Sequence, residues 1–287
     1  MRIRATMAAA TVSGALALTA IAVPAAQASY QGTAKPDASS RFGSLTTVKA
    51  PLAAETGVAA APTINSVSVN GGKNIVVGTT TVKTFTVSVT ASHASGIADA
   101  YVDLWHGTDV DSADGFLIPN EDAATCTASS ATTSTCKLTI TADPQVDLVN
   151  SLAGTWHVTV GALAGDQSDF YWNDYYSTRK VLRLAKLTAN ASPEPVAKGK
   201  TITVTGSLTR ANWDTSTYGG YANQSVKLQF RKAGTSTYST VKTITSSSTG
   251  GLKTTVTASV DGYWRYSFAG SPTTGTVSSA GDYVDVQ

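Results

Sequence analysis

The sequence is poor in the residues that most often carry chemistry. Its 287 residues hold three histidines, His93, His106 and His157, and two cysteines, Cys126 and Cys136. The histidines fall in separate segments and none belongs to an H-E-x-x-H zinc motif. A G-x-S-x-G nucleophile elbow, a phosphate-binding P-loop and a G-x-G-x-x-G fingerprint are also missing. Nucleophilic catalysis needs a base and an orienting partner beside the nucleophile. Isolated histidines among many serines therefore read as structural, and the sequence points away from an enzyme. A hydrolase whose carboxylates meet only in space is the alternative.

Charge is scarce too: Asp, Glu, Lys and Arg make up 14% of the chain. Arg2 and Arg4 precede an apolar stretch from Ala5 to Val23, and the small-x-small triplet Ala26-Gln27-Ala28 follows. This reads as a secretory signal peptide over residues 1–28. Its removal leaves 19 basic against 19 acidic side chains, so the basic balance of the full sequence implies no nucleic-acid partner. No later run is long and apolar enough to span a membrane. The expected location is secreted, outside the cell.

What the chain does have is Thr, Ser, Val and Gly in short alternating runs. Residues 29–61 lack sustained periodicity and read as a flexible spacer. From Pro62 onward, INSVSVN, VKTFTVSVTA, ADAYVDLWH, KLTIT, TWHVTVGAL and RKVLRLAKL each alternate with period two between turn residues, which argues for strands. Phe85, Val87 and Val89 share one face. In ADAYVDLWH, Ala100, Val102 and Leu104 lie opposite Tyr101, Asp103 and Trp105. A second series begins near Leu187, with about seven strands in the last 101 residues; Trp264, Tyr266 and Phe268 share a face of GYWRYSFAG. The predicted fold class is all-β: two tandem antiparallel β-sandwiches, an acidic one over 62–186 and an immunoglobulin-like one over 187–287. Residues 62–186 carry 12 acidic and 7 basic side chains, a net of −5, and residues 187–287 carry 5 and 9, a net of +4. The halves attract each other, or the first binds cations while the second meets anionic surfaces.

The cysteines lie in TCTASSATTSTC. Export favours oxidation, and nine polar or small residues between them suit a hairpin closed by a Cys126–Cys136 disulfide. Such a short loop is worth roughly 2–3 kcal/mol in the chain-entropy picture.

Three stretches are candidate sites. GTDVDSADGFLIPNED follows the calcium-loop pattern with one residue inserted: Asp109, Asp111 and Asp114 take the first, third and fifth places and Glu121 the last. Hard cations need six to eight oxygens, which acids at alternate positions supply; an acidic turn between strands is the plain alternative. GDQSDFYWNDYYS places acids beside aromatics, among them Trp172. RANWDTSTYGGYANQ sets Trp213, Tyr218 and Tyr221 around a Gly-Gly turn. Rings on loops can stack on sugars, so these four are candidate glycan contacts. The alternatives are core-facing aromatics in the first stretch and a long loop capping the sandwich in the second.

The runs LWHGTDVDSADG, LTANASPEP, LTRANW, VKLQFRKAG, DGYWRYSFAG and GDYVDV resemble a family of secreted actinobacterial proteins commonly named calcium-binding proteins. The resemblance covers residues 62–287 and implies Ca²⁺ as a ligand. The expectation is a non-catalytic secreted protein that binds Ca²⁺ through the loop from Asp109 to Glu121. A module for a cell-envelope glycan is the competing expectation, and a structural or inhibitory protein with a protein partner is a further one.

Overall fold

The computed structural model describes residues 35–43 and 60–287. The expected signal peptide and most of the expected spacer lie outside the described residues.

Nine strands build the first sandwich: β1 (Thr63–Val69), β2 (Ile75–Val77), β3 (Lys83–Ser92), β4 (Ile97–His106), β5 (Gly115–Leu117), β6 (Thr125–Ala128), β7 (Thr133–Ala142), β8 (Gly154–Ala164) and β9 (Phe170–Arg183). They form one sheet in the order β1-β3-β7-β6 and another in the order β2-β9-β8-β4-β5. All pairs are antiparallel except β2 with β9. The alternation read from sequence sets the core: Phe85, Val87 and Val89 of one sheet and Val102, Leu104, Val158 and Val160 of the other are all buried. Cys126 lies opposite Cys136 in the β6–β7 register, and the two form the expected disulfide.

Ten strands build the second sandwich: β10 (Ala185–Leu187), β11 (Asn190–Ser192), β12 (Thr201–Asn212), β13 (Thr217–Gly220), β14 (Ser225–Lys232), β15 (Ser239–Thr245), β16 (Gly251–Thr257), β17 (Gly262–Phe268), β18 (Val277–Ser278) and β19 (Asp282–Val284). One sheet gathers β10, β11, β13 and β16 around β12, and the other runs β15-β14-β17-β18 with β19 on β17. Ile202, Val204 and Leu208 of β12 and Val226 and Leu228 of β14 meet Trp264, Tyr266 and Phe268, as their spacing predicts. The buried Tyr266 hydroxyl donates to the Val204 carbonyl at 2.8 Å, and burial pushes its pKa up to about 12. The chain is thus all-β, with two tandem Ig-like sandwiches.

Leu184 alone separates β9 from β10. Its N–H donates to the Val77 carbonyl and its own carbonyl accepts from Ala211, both at 2.8 Å. The stretch RANWDTSTYGGYANQ is not a capping loop. Ala211 and Asn212 at the end of β12 pair with Tyr218 and Thr217 of β13 in a hairpin. Its tip pushes Trp213 into the first sandwich, where Trp213 and Ala211 join that core. The Trp213 indole N–H donates to the Gly78 carbonyl at 2.8 Å. Arg183 Nε donates to the Ala211 carbonyl at 2.6 Å. Asn150 bonds both Asn212, at 2.7 Å, and Asp214. The ion pairs among the described residues all lie within the first sandwich and the segment 35–43. The junction is therefore built from a shared core and hydrogen bonds rather than from attraction between oppositely charged halves.

Candidate functional site

Strand β4 departs from the usual half-buried pattern. Its inward residues Ala100, Val102 and Leu104 are buried, but so are Tyr101, Asp103 and Trp105 on the other face, the last two with no exposed surface. An outer sheet face would ordinarily meet water. Here residues 35–43 lie over Tyr101 and Asp103 while His157 and Tyr175 pack on Trp105, so the expected spacer is corrected over that stretch.

The covering segment contains a five-residue helix, α1 (Ala38–Phe42), started by a capping box between Asp37 and Ser40. Three side chains dock it. Lys35 pairs with Asp174 of β9 and lies 3.6 Å from Asp103 Oδ2, with its ammonium 5.4 Å from the centre of the Trp172 ring. Arg41 pairs with Asp99 at 2.8 Å and its guanidinium lies 5.5 Å from the Tyr101 ring. Phe42 packs edge-on to Trp172 at 5.8 Å and tilted to Phe170 at 6.0 Å. Gly161 makes room beneath these rings. A Cβ there would meet Trp172 Cε3 at 2.7 Å and Phe42 Cε2 at 2.9 Å.

Under the segment lies a polar cluster. The Tyr101 hydroxyl donates to Asp103 Oδ2 at 3.0 Å. Asp174 Oδ1 accepts from Lys35, from Thr159 at 3.3 Å and from the Trp172 indole at 3.2 Å. Asp103 Oδ1 is buried with no hydrogen-bond partner among the described residues. Burial pushes Asp103 up to about 6, against the pull of the Lys35 ammonium and of the hydrogen bond from Tyr101. Burial, reinforced by the charge of Asp103, drives the Tyr101 phenol well above its ordinary value. At the far end, Trp105 donates its indole N–H to the Asp174 carbonyl at 2.9 Å and stacks on His157 at 4.2 Å, and Tyr175 closes edge-on. A carboxylate pair flanked by aromatic faces suits an ammonium or guanidinium group.

The four acids of the calcium-loop reading do not converge. Asp109, Asp111 and Asp114 lie on the exposed turn joining β4 to β5. Asp109 caps that turn by accepting from the Asp111 N–H at 2.9 Å, and Asp114 pairs with His106 at 2.6 Å. Glu121 turns away to β7, accepting from the Thr139 N–H at 2.8 Å and from its hydroxyl at 2.6 Å. Burial, the largest single influence on its carboxyl, pushes the pKa up, but the hydrogen bonds from Thr139 together outweigh it and hold the pKa below its ordinary value. Among the described residues, no group of three or more His, Cys, Asp or Glu side chains is arranged to hold a metal ion.

The four candidate glycan rings are also placed differently from a stacking platform. Trp213 is buried in the junction, only 3% exposed, and is corrected as a surface contact. Trp172 lies on β9 rather than in a loop and stacks one face on Tyr101 at 5.1 Å. Lys186 covers a face of Tyr218 at 3.6 Å, and Arg210 covers one of Tyr221 at 4.0 Å. Sequence reasoning missed Lys35, Arg41, Asp99, Asp103 and Asp174 as a unit. The signal that could have shown it is Tyr101-Val102-Asp103-Leu104-Trp105, where both strand parities are bulky and the lone acid has rings on either side.

Residues 76–162 match the model of a family of unknown function, DUF5707. The matched stretch runs from β2 through most of β8, so it includes Asp99, Tyr101 and Asp103 but neither β9 nor the covering segment. No curated protein matches the chain. Among solved structures, dimeric latent PorU from Porphyromonas gingivalis aligns at 14% identity and a TM-score of 0.29, over 81% of this chain and 21% of that one. The chain thus spans about a fifth of PorU. The fibronectin(III)-like modules of Clostridium thermocellum CbhA align at 10% identity and a TM-score of 0.31, over 77% of this chain and 93% of theirs. A chimeric titin Z1Z2 tandem aligns at 14% and 0.29, over 79% and 99%. No helix among the described residues is long and apolar enough to cross a membrane.

Proposed function

We propose that this is a non-catalytic extracellular binding protein whose recognition surface is the outer face of the β2-β9-β8-β4-β5 sheet, and that the face takes a basic, aromatic-bearing peptide segment. The observation carrying this reading is the seating of residues 35–43. Lys35 enters between two carboxylates, Arg41 meets a third, and Phe42 fills the hollow over Gly161. The face already holds a peptide of that chemistry. The disulfide supports an oxidising compartment.

The test uses the chain with Lys35→Ala and Phe42→Ala, which weakens its own segment, and a labelled peptide of residues 35–43. Saturable binding that is lost on adding Asp103→Asn and Asp174→Asn supports the reading; absence of binding refutes it. Calcium at Asp109, Asp111, Asp114 and Glu121 is a separate proposal, resting on the spacing of those acids and on the family resemblance. Calorimetric titration with Ca²⁺, with Asp109→Ala plus Asp111→Ala as control, decides it.

A further inference from the structure

The acidic-aromatic face is fitted by a segment of this chain itself, so every other copy carries a matching ligand. We infer that residues 35–43 exchange between copies, the segment of one molecule seating on the sheet face of another. This deepens the reading of the face as a peptide receptor and rests on it.

Three observations support a second copy as the occupant. First, the docking contacts are compact and portable. They come from the side chains of Lys35, Arg41 and Phe42, and the segment's own backbone bonds, such as Arg41 N–H to the Asp37 carbonyl, stay within it. Seating in trans reproduces each contact without refolding a sandwich. Second, 16 residues, 44–59, separate the docked segment from the first described residue before β1. A chain of that length can reach up to about 55 Å, and the entropy of closing such a loop changes only slowly with its length. Both a chain's own face and a neighbour's are thus within range. Third, the charges complement one another. Divided at Leu184, the first sandwich (62–183) carries 12 acidic and 6 basic side chains, a net −6, and the second (184–287) 5 and 10, a net +5, so pairing that sets the first sandwich of one copy beside the second of another is attractive, while the basic side chains of the segment offset the acidic face locally.

Exchange of an identical element is a low-cost route to assembly because bound and unbound copies use the same contacts. Reciprocal exchange closes a twofold dimer; one-way exchange leaves a free face and a free segment and extends a chain of molecules. The competitor is the molecule's own tether, which acts at an effective concentration of roughly millimolar. Exchange therefore grows with protein concentration and with any variant that disables one half of the contact in each partner.

The experiment uses two complementary variants of the full exported chain, each checked for folding by its melting curve. The segment variant carries Lys35→Ala and Phe42→Ala. The face variant carries Asp103→Asn and Asp174→Asn. Sedimentation velocity and native mass spectrometry are run on each alone, on an equimolar mixture and on the unmodified chain over a concentration series. The expected result is a dimer fraction that rises with concentration for the unmodified chain, monomers for each variant alone, and a one-to-one hybrid in the mixture, where the intact segment of the face variant occupies the intact face of the segment variant. Monomers throughout, while the free peptide of residues 35–43 still binds the segment variant, would overturn exchange and leave the receptor reading standing. Monomers throughout with no peptide binding overturn both.

Discussion

At Asp103 the fold holds a carboxyl group with one oxygen paired to Tyr101 and Lys35 and the other unpaired. Its folded pKa of about 6 lies above the ordinary 3.8. Between those values the folded chain keeps a proton that the unfolded chain has lost. The group's contribution to stability is therefore greatest below that window and falls as pH rises through it. Asp103→Asn should flatten the dependence. Melting curves across the window are expected to show the unmodified chain losing up to about 3 kcal/mol that the Asn variant keeps. Glu121 offers a second prediction at this scale. Its carboxylate is tied to Thr139, so Glu121→Gln should cost at most about 1 kcal/mol of stability at such an exposed position, read as the same fall in melting temperature in Ca²⁺ and in EDTA. A loss confined to the calcium-loaded sample would instead make Glu121 a metal ligand. Residue roles were the least legible layer of the sequence. Asp109, Asp111, Asp114 and Glu121 stand in a suggestive order, yet an inserted residue and a β-turn aim them at different neighbours. Asp103 stands in no motif and becomes special only when a distant segment lies over it.

Among the elements, legibility followed the physics of alternation. The core strands of both sandwiches show period-two patterns because one face is dry and the other wet, and the disulfide hairpin follows from its spacing. Strand β4 broke the rule because residues 35–43 and rings from β8 and β9 together dry its second face, and α1 itself, at five residues, is too short to show a helical period. The Gly219-Gly220 pair misled for a different reason. It looks like a turn, but the hairpin turns earlier, with Ser216 at positive φ. Gly220 lies in β13, where a Cβ would meet the Thr249 carbonyl oxygen at 2.1 Å, so the glycine permits a close approach instead. Gly161 performs a similar service for the covering segment. Gly161→Ala forces Phe42 or Trp172 aside, an overpacking cost of about 1–3 kcal/mol, and Phe42 at the end of a short helix yields more readily. Trypsin should then cut after Arg41 faster than in the unmodified chain. Equal cutting rates would show that the hollow over Gly161 does not hold the segment.

The molecule as a whole turns on Trp213. The tandem order was legible, since the second series of strands expected from near Leu187 begins with β10, one residue past β9, but the junction was not. A tryptophan contributed by one sandwich to the core of the other leaves no local pattern, because its partners, Val77 and Gly78, lie more than 130 residues away. Trp213→Ala should remove about 3–5 kcal/mol of shared packing. Scanning calorimetry is expected to resolve two transitions where the unmodified chain shows one; a single transition merely shifted downward would mean that the backbone bonds at Leu184 suffice to couple the halves. Those bonds have a consequence for anything carried by the molecule. With one residue between β9 and β10 and both of its backbone groups engaged, the chain has no swivel at its waist. On the proposed binding role, a cargo seated on the first sandwich would be held at a fixed attitude to whatever gripped the second, as by a bracket rather than a tether.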